Sequence, residues 1–155
     1  AVMAHSFDGS LVGYWVNDLA VGEIWMNCYT AGLSNVPFVF LSGDRAAAEE
    51  AQALVPEVEV AVVKEGLAEQ AGGLSVLPAL SLSPQAAQAV IRAAASRAMS
   101  KIGSILPYRL EPPFRLRAQF TAERFAEHRA GQPNVKRLDA VTVEMERADH
   151  PWLLL

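Results

Sequence analysis

Hydrophobic and polar positions repeat along the chain with the periods of strands and helices. Leu11 to Asn17 is rich in aromatic and branched residues and predicts a strand, and Gly22 to about Leu33 suits a helix. Pro37 to Leu41 is a short apolar run with almost no alternation, which is typical of a strand covered on both faces. Asp44 follows this run and is well placed to cap an alanine-rich helix over Arg45 to Leu54.

The second half of the chain mixes both periods. Val58 to Val63 has the pattern of a buried strand, and Ser83-Pro84 predicts the start of a helix that runs to about Ile102. Apolar and polar residues alternate strictly from Phe114 to Phe120, so one face of that strand should be exposed to solvent. Residues 66 to 82 are ambiguous. The remaining predicted elements are a short helix near Ala122 to Arg129 and a last strand near Leu138 to Glu146.

The order of these elements predicts an α/β fold. Strand and helix alternate through roughly the first hundred residues, which favours a parallel-type sheet with crossover helices. The later strands alternate in polarity and favour a more antiparallel α+β portion. At 155 residues the chain suits a single unit. We expect residues 1–105 to form the α/β part that carries the site, and residues 106–155 to add peripheral strands and a helix.

The amino-acid composition argues against nucleic acid and membranes as partners. Lys and Arg number 13 against 17 Asp and Glu, so the net charge of −4 gives no general attraction to nucleic-acid phosphates. No apolar run approaches the length of about 18 residues that a membrane-spanning helix needs, and the N-terminus lacks the order of a signal peptide. The single cysteine, Cys28, cannot form an intrachain disulfide and suits a reducing cytoplasm. We therefore expect a cytoplasmic protein with neither nucleic acid nor membrane as a partner.

The predicted helix from Gly22 carries a polar stripe. Glu23, Asn27 and Thr30 recur at i, i+4 and i+7, while most other positions are apolar. A buried carboxylate needs a charge partner or a metal, so the stripe favours a functional site. The alternative is that the stripe is simply the solvent side of an amphipathic helix. Glu23 also lies in the first turn, where the helix dipole favours its charged form.

Four other residues have side chains that could carry chemistry, each with a simpler interpretation. His5, in a turn-rich stretch before a strand, is a general base, a metal ligand or a plain loop residue. Cys28 has no histidine near it in sequence and is interpreted as a buried structural thiol. Asp44 is interpreted as a helix cap. Lys64 ends a buried-type strand, where ligands collect in open α/β sheets, or else its ammonium group only reaches water.

Several common catalytic motifs are absent from the sequence. It has no HExxH or CxxC pair for zinc, no GxSxG nucleophile elbow, no Walker loop and no GxGxxG. His128 and His150 lie beside charged residues and are interpreted as surface residues. A serine hydrolase, a P-loop enzyme and a dinucleotide enzyme therefore have no support in the sequence.

Three segments, taken in order, resemble a known family. They are Met3-Ala4-His5-Ser6, then the stretch from Val16 to Asn27, then Val36 to Asp44. Together they resemble the dinuclear-zinc D-aminopeptidases of the DppA type, including the spacing of 18 residues from His5 to Glu23. The resemblance continues through Ala61 to Glu65, Leu82-Ser83-Pro84 and Val143-Glu144, so it covers most of the chain.

The resemblance implies roles for individual residues. His5 matches the family's catalytic histidine, which moves a proton or stabilises the oxyanion, and Glu23 matches a glutamate ligand of the zinc pair. Asn27, one turn after Glu23, and Lys64, at the end of a predicted strand, are further candidates for contact with substrate on their positions alone. The family's other ligands lie in an Asp-x-Glu-Gly motif, a later histidine and a Gly-Tyr-His motif, which have no counterpart in this sequence. Because the chain opens at Ala1 without an initiator methionine, we expect it to be the C-terminal part of a longer peptidase.

The expected function follows from this resemblance. It is a metal-dependent aminopeptidase with two zinc ions per complete site, which removes the N-terminal residue of short peptides, with D-residues implied by the family. Relatives of the family assemble as ring-shaped decamers, so a homo-oligomer is expected, and the hydrophobic share of 52% leaves apolar surface for its contacts. The alternative is a non-catalytic or degenerate homologue that keeps the fold and the oligomer contacts without the metal site.

Overall fold

The structure, a computed structural model, describes residues 2, 5, 7, 9–68 and 78–155. Two compact units divide the chain: unit one comprises Ala1–Ala4 and Ile24–Arg109, and unit two comprises His5–Glu23 and Leu110–Leu155. The described residues form eight strands and four helices. In chain order these are β1 (Leu11–Val16), β2 (Leu19–Ala20), α1 (Glu23–Leu33), β3 (Phe40–Asp44), α2 (Arg45–Leu54), β4 (Glu59–Gly66), β5 (Ala79–Ser81), α3 (Pro84–Ser100), β6 (Phe114–Phe120), α4 (Glu123–Ala130), β7 (Val135–Arg137) and β8 (Thr142–Ala148).

Unit one contains a three-stranded sheet in the order β3-β4-β5. Strands β3 and β4 are parallel, with α2 as the crossover between them, and β5 is antiparallel to β4. This is the βαβ arrangement that the alternation of apolar runs and helix formers predicts. The predicted α/β class with a parallel-type portion is therefore confirmed.

The core of unit one lies between α1, α2 and β4. Its fully buried members are small or medium side chains, which lets the helices approach the strands closely. Ile24, Leu41 and Tyr108 are among the partly buried side chains packed against them. The buried members of this cluster are Cys28, Ala51, Val55, Val58 and Ile105.

Aromatic side chains hold α1 against the segment that ends unit one. Trp25 stacks on Tyr29 with ring centroids 5.2 Å apart, and its indole N–H donates to the Tyr108 hydroxyl at 3.0 Å. The rings of Trp25 and Tyr108 meet edge to face, an arrangement that aromatic quadrupoles favour. One face of α1 is thereby buried.

Unit two is a five-stranded antiparallel sheet in the order β2-β1-β6-β8-β7. Every second side chain of β6 is buried, as its strict alternation predicts. Its core also includes the C-terminal residues, because Leu154 is fully buried and the Tyr14 hydroxyl donates to the Pro151 carbonyl at 2.7 Å. The apolar C-terminal tail, Pro151 to Leu155, is thus packed into unit two.

Comparison with the predicted elements shows where local patterns suffice. The bounds of β6 and α2 are as predicted, and Asp44 caps α2. The predicted parallel pairing is wrong for β1, which pairs antiparallel with β6. The predicted last strand near Leu138 to Glu146 corresponds to β8 alone and begins four residues later than predicted. Strand β7 was not predicted, and Arg137 at its end donates to the backbone carbonyls of Asp139 and Ala140 in the turn before β8. The ambiguous stretch contains β5, while residues 69–77 lie outside the described residues.

Candidate functional site

Glu23 is the first residue of α1 and belongs to unit two. Its side chain is half-buried, and its Oε1 accepts a hydrogen bond of 2.7 Å from the backbone N–H of Phe7. The first turn of a helix stabilises a negative charge, because the N–H groups there point out of the helix end. The position therefore suits an ionised carboxylate with a fixed orientation.

His5 lies in the same unit, two residues before Phe7. It is exposed, as a residue that exchanges protons with a substrate needs to be. Phe7 has a φ of 60°, in the left-handed region. Its hydrogen bond to Glu23 therefore links a residue two positions after His5 to the start of α1.

Asn27 and Lys64, the candidates for substrate contact, belong to unit one. Asn27 is exposed one turn after Glu23, and Thr30 is also exposed, so the polar stripe coincides with the solvent side of α1. The Thr30 hydroxyl donates back to the Met26 carbonyl at 2.8 Å, which satisfies it within the helix. Lys64 is exposed within β4, which continues two residues further to Gly66, so the expectation that Lys64 ends its strand is wrong.

Asp44 performs two functions that the sequence suggests only in part. Its Oδ1 accepts the Ala47 N–H at 2.9 Å, which confirms the predicted cap, while its Oδ2 accepts the backbone N–H of Val2. Burial by itself would raise the pKa of Asp44, but the N–H groups of Ala47, Val2 and Ala46 lower it on balance. The second bond has no side-chain signature in the sequence, because its donor is a backbone amide.

Cys28 is buried in the core of unit one, with 2% of its surface exposed. Burial raises the pKa of its thiol to about 11. A thiol in this state is protonated at neutral pH and inaccessible, so it is a packing residue, as interpreted from sequence. His128 and His150 are exposed, as expected.

A zinc site needs several nitrogen, sulfur or oxygen ligands within one cluster. Over residues 2, 5, 7, 9–68 and 78–155, no group of three His, Cys, Asp or Glu side chains could hold a metal ion. The carboxylate of Glu23 fits the role of one zinc ligand, since a ligating carboxylate is commonly oriented by a hydrogen bond. Glu23 is thus an oxygen donor whose setting is compatible with such a centre.

Comparison with known proteins identifies the class. The sequence profile of the D-aminopeptidase family matches residues 1–153, and the chain belongs to that family. The solved structure of the Zn-dependent D-aminopeptidase DppA from Bacillus subtilis, a self-compartmentalizing protease, matches with a TM-score of 0.79 and 29% identity. That match covers 99% of this chain and 53% of the other. The D-aminopeptidase of Bacillus subtilis strain 168 is 40% identical over 70 residues, which is 45% of this chain and 26% of that protein.

The chain spans about half the length of the solved relative. The family resemblance that carries His5 and Glu23 is confirmed at the level of family and fold. Among the residues that the structure describes, no helix is both long and apolar enough to cross a membrane.

Proposed function

We propose that this chain is part of a zinc-dependent aminopeptidase that removes the N-terminal residue of short peptides, including peptides of D-residues. The observation that carries the proposal is the 2.7 Å hydrogen bond from the Phe7 N–H to Glu23, which links a residue two positions after His5 to a carboxylate at the start of a helix. Membership of the D-aminopeptidase family supports the choice of reaction. The solved relative's dependence on zinc supports the choice of metal.

Glu23 is the proposed zinc ligand in this chain, in a complete site of two zinc ions. Bound zinc polarises the scissile carbonyl and lowers the pKa of a metal-bound water toward neutrality. Glu23 contributes a negative charge that compensates the cation, at a helix end that already favours that charge. Its hydrogen bond with Phe7 restricts rotation of the carboxylate, so less ordering is required when a cation binds.

His5 is the proposed catalytic residue. Its exposed imidazole can take a proton from an attacking water, or donate a hydrogen bond to the oxyanion. In both roles the ring acts on the reacting groups and is not a ligand of the metal, so both predict loss of turnover without loss of metal when the ring is removed. Asn27 and Lys64 are proposed to contact the peptide through their amide and ammonium groups.

We further propose that the chain assembles with copies of itself, as a decamer. The solved relative is a self-compartmentalizing protease, which implies an assembly that encloses its sites. Large apolar side chains on unit one, including Met99 and Leu106 at 66% and 81% exposure, would gain from burial in such an assembly. A cytoplasmic location is proposed because Cys28 is the sole cysteine and is kept as a buried thiol.

Two substitutions in the full-length protein test the proposal. Glu23→Gln should reduce zinc content, measured by elemental analysis, together with hydrolysis of a short D-alanyl peptide. His5→Ala should leave zinc content and thermal stability unchanged while kcat falls by about 10²–10⁴-fold. KM should change much less, because the interaction is made mainly in the transition state.

Matched controls come from unit two. Glu127 and His128 are exposed residues on α4, so Glu127→Gln and His128→Ala should alter neither zinc content nor kcat. Full zinc in Glu23→Gln would remove Glu23 from the metal site, and loss of zinc in His5→Ala would make His5 a ligand. A full-length protein that binds no zinc and cleaves no peptide would establish the non-catalytic homologue instead.

A further inference from the structure

Phe7 has a backbone conformation that side-chain-bearing residues rarely adopt. Its φ of 60° lies in the left-handed region, which is disfavoured for a residue with a bulky side chain. Such a conformation persists only where surrounding interactions compensate for it. Among the residues that the structure describes, Glu23 provides one such interaction by accepting a hydrogen bond from the Phe7 N–H.

The geometry of that bond suits an orienting role. The N–H of Phe7 meets Oε1 of Glu23 at 2.7 Å, which is short for a nitrogen donor and typical of a bond to a charged acceptor. A carboxylate has about four lone-pair directions, so a donor at Oε1 is compatible with a cation bound by the same group. Metal-ligating carboxylates are usually fixed by such outer donors.

We infer that Phe7 is a positioning residue, whose backbone N–H orients the Glu23 carboxylate toward zinc. The inference rests on the proposed function, which assigns Glu23 as a ligand. The backbone amide of Phe7 performs this role, and its aromatic ring does not. The same amide follows His5 by two residues in the sequence.

Replacing the amide with an ester tests this role directly. Phenyllactic acid at position 7 of the full-length protein removes the N–H while keeping the ring. Zinc affinity, measured by competition with a chelator, should fall by about 10–100-fold. The same replacement at Phe38, which lies in unit one outside any helix or strand, should leave zinc affinity unchanged.

An ordinary substitution tests the ring without an unnatural residue. Phe7→Gly keeps the N–H and suits a positive φ, so it should retain zinc affinity although the ring is gone. Weak zinc binding in Phe7→Gly with a folded protein would show that the ring matters, and would overturn the inference.

A measurement without zinc separates this inference from the proposed function. In the zinc-free protein labelled with ¹⁵N-phenylalanine, the Phe7 amide proton should resonate downfield and move upfield in Glu23→Gln. If Glu23→Gln loses zinc, the ligand assignment holds. In that case an unchanged Phe7 resonance in Glu23→Gln, or undiminished zinc affinity in the ester variant, overturns only the positioning role of Phe7. If Glu23→Gln keeps its zinc, the ligand assignment fails and the positioning role fails with it.

Discussion

Gly32 of α1 lies so close to the backbone of Tyr108 that a Cβ atom built on it would be 1.9 Å from the Tyr108 carbonyl oxygen. No side chain fits at this distance without movement of backbone, which costs more than rotation of a side chain. The contact lets Trp25 reach the Tyr108 hydroxyl on the same face of the helix. Gly32 is therefore a close-packing position inside unit one.

Gly32→Ala is expected to destabilise the protein by about 1–3 kcal/mol, because the helix and the Tyr108 segment must separate. Urea unfolding measures the change in the free energy of unfolding. Gly131→Ala is the matched control, since its φ is −74° and a Cβ there meets only ordinary contacts with the His128 and Glu127 carbonyls. That control should be neutral or stabilising by up to about 1 kcal/mol. Equal stability of the two variants would contradict this account.

Replacing either of two adjacent leucines near the C-terminus with alanine should have different effects on stability. Leu154 is fully buried in unit two, whereas 43% of Leu153 is exposed. Leu154→Ala should lower the free energy of unfolding by about 2–4 kcal/mol through lost burial and a cavity. Leu153→Ala should change it by less than about 0.5 kcal/mol. Similar losses from both substitutions would show that the tail does not dock as described.

Cys28 should resist thiol reagents in the folded protein. With a pKa of about 11, roughly one thiol in a thousand is ionised at pH 8, and burial blocks access to it. Labelling should therefore appear only as urea unfolds the protein. Cys28→Ser should destabilise the fold by about 1–3 kcal/mol through a buried hydroxyl, without loss of the proposed peptidase activity. Rapid labelling of the native protein would argue that the thiol is reachable.

The cap of α2 should account for part of the stability of unit one. Asp44→Ala removes the acceptor for the Ala47 N–H and should cost about 1–2 kcal/mol. Asp44→Ser keeps a capping oxygen, so most of that loss should be recovered. Urea denaturation at pH 7 measures the free energy of unfolding of the two variants. If the serine variant is as unstable as the alanine variant, the hydrogen bond from Val2 contributes more to stability than the cap does.

At low pH, aspartate at position 44 should no longer stabilise the protein more than serine does. The pKa of Asp44 is lowered in the folded protein, so its ionised form contributes stability above the unfolded pKa of about 3.9. This contribution is lost as the pH falls through the folded pKa. The difference in unfolding free energy between the original protein and Asp44→Ser should therefore shrink below about pH 4. A difference that is constant from pH 7 to pH 3 would contradict the lowered pKa.

Local patterns were sufficient for much of the secondary structure and for the chemistry at two positions. The α2 cap, the alternation of β6 and the helix that starts at Glu23 each depend on residues a few positions apart, whose preferences act in the unfolded chain as well. The family resemblance rests on short segments of the same kind. His5 and Glu23 could therefore be selected from the sequence, although their roles remain predictions.

Tertiary structure decided which elements pair and what orients Glu23. Strand β1 pairs with β6 through contacts such as Tyr14 with Ala118, between segments about a hundred residues apart, and nothing in either pattern specifies the partner. Phe7 and Val2 reach carboxylates through backbone N–H groups, which every residue except proline carries, so no letter of the sequence marks them. Sequence determines side-chain chemistry and local conformation, whereas long-range pairing depends on burial shared by distant segments, which exists only once the chain has folded.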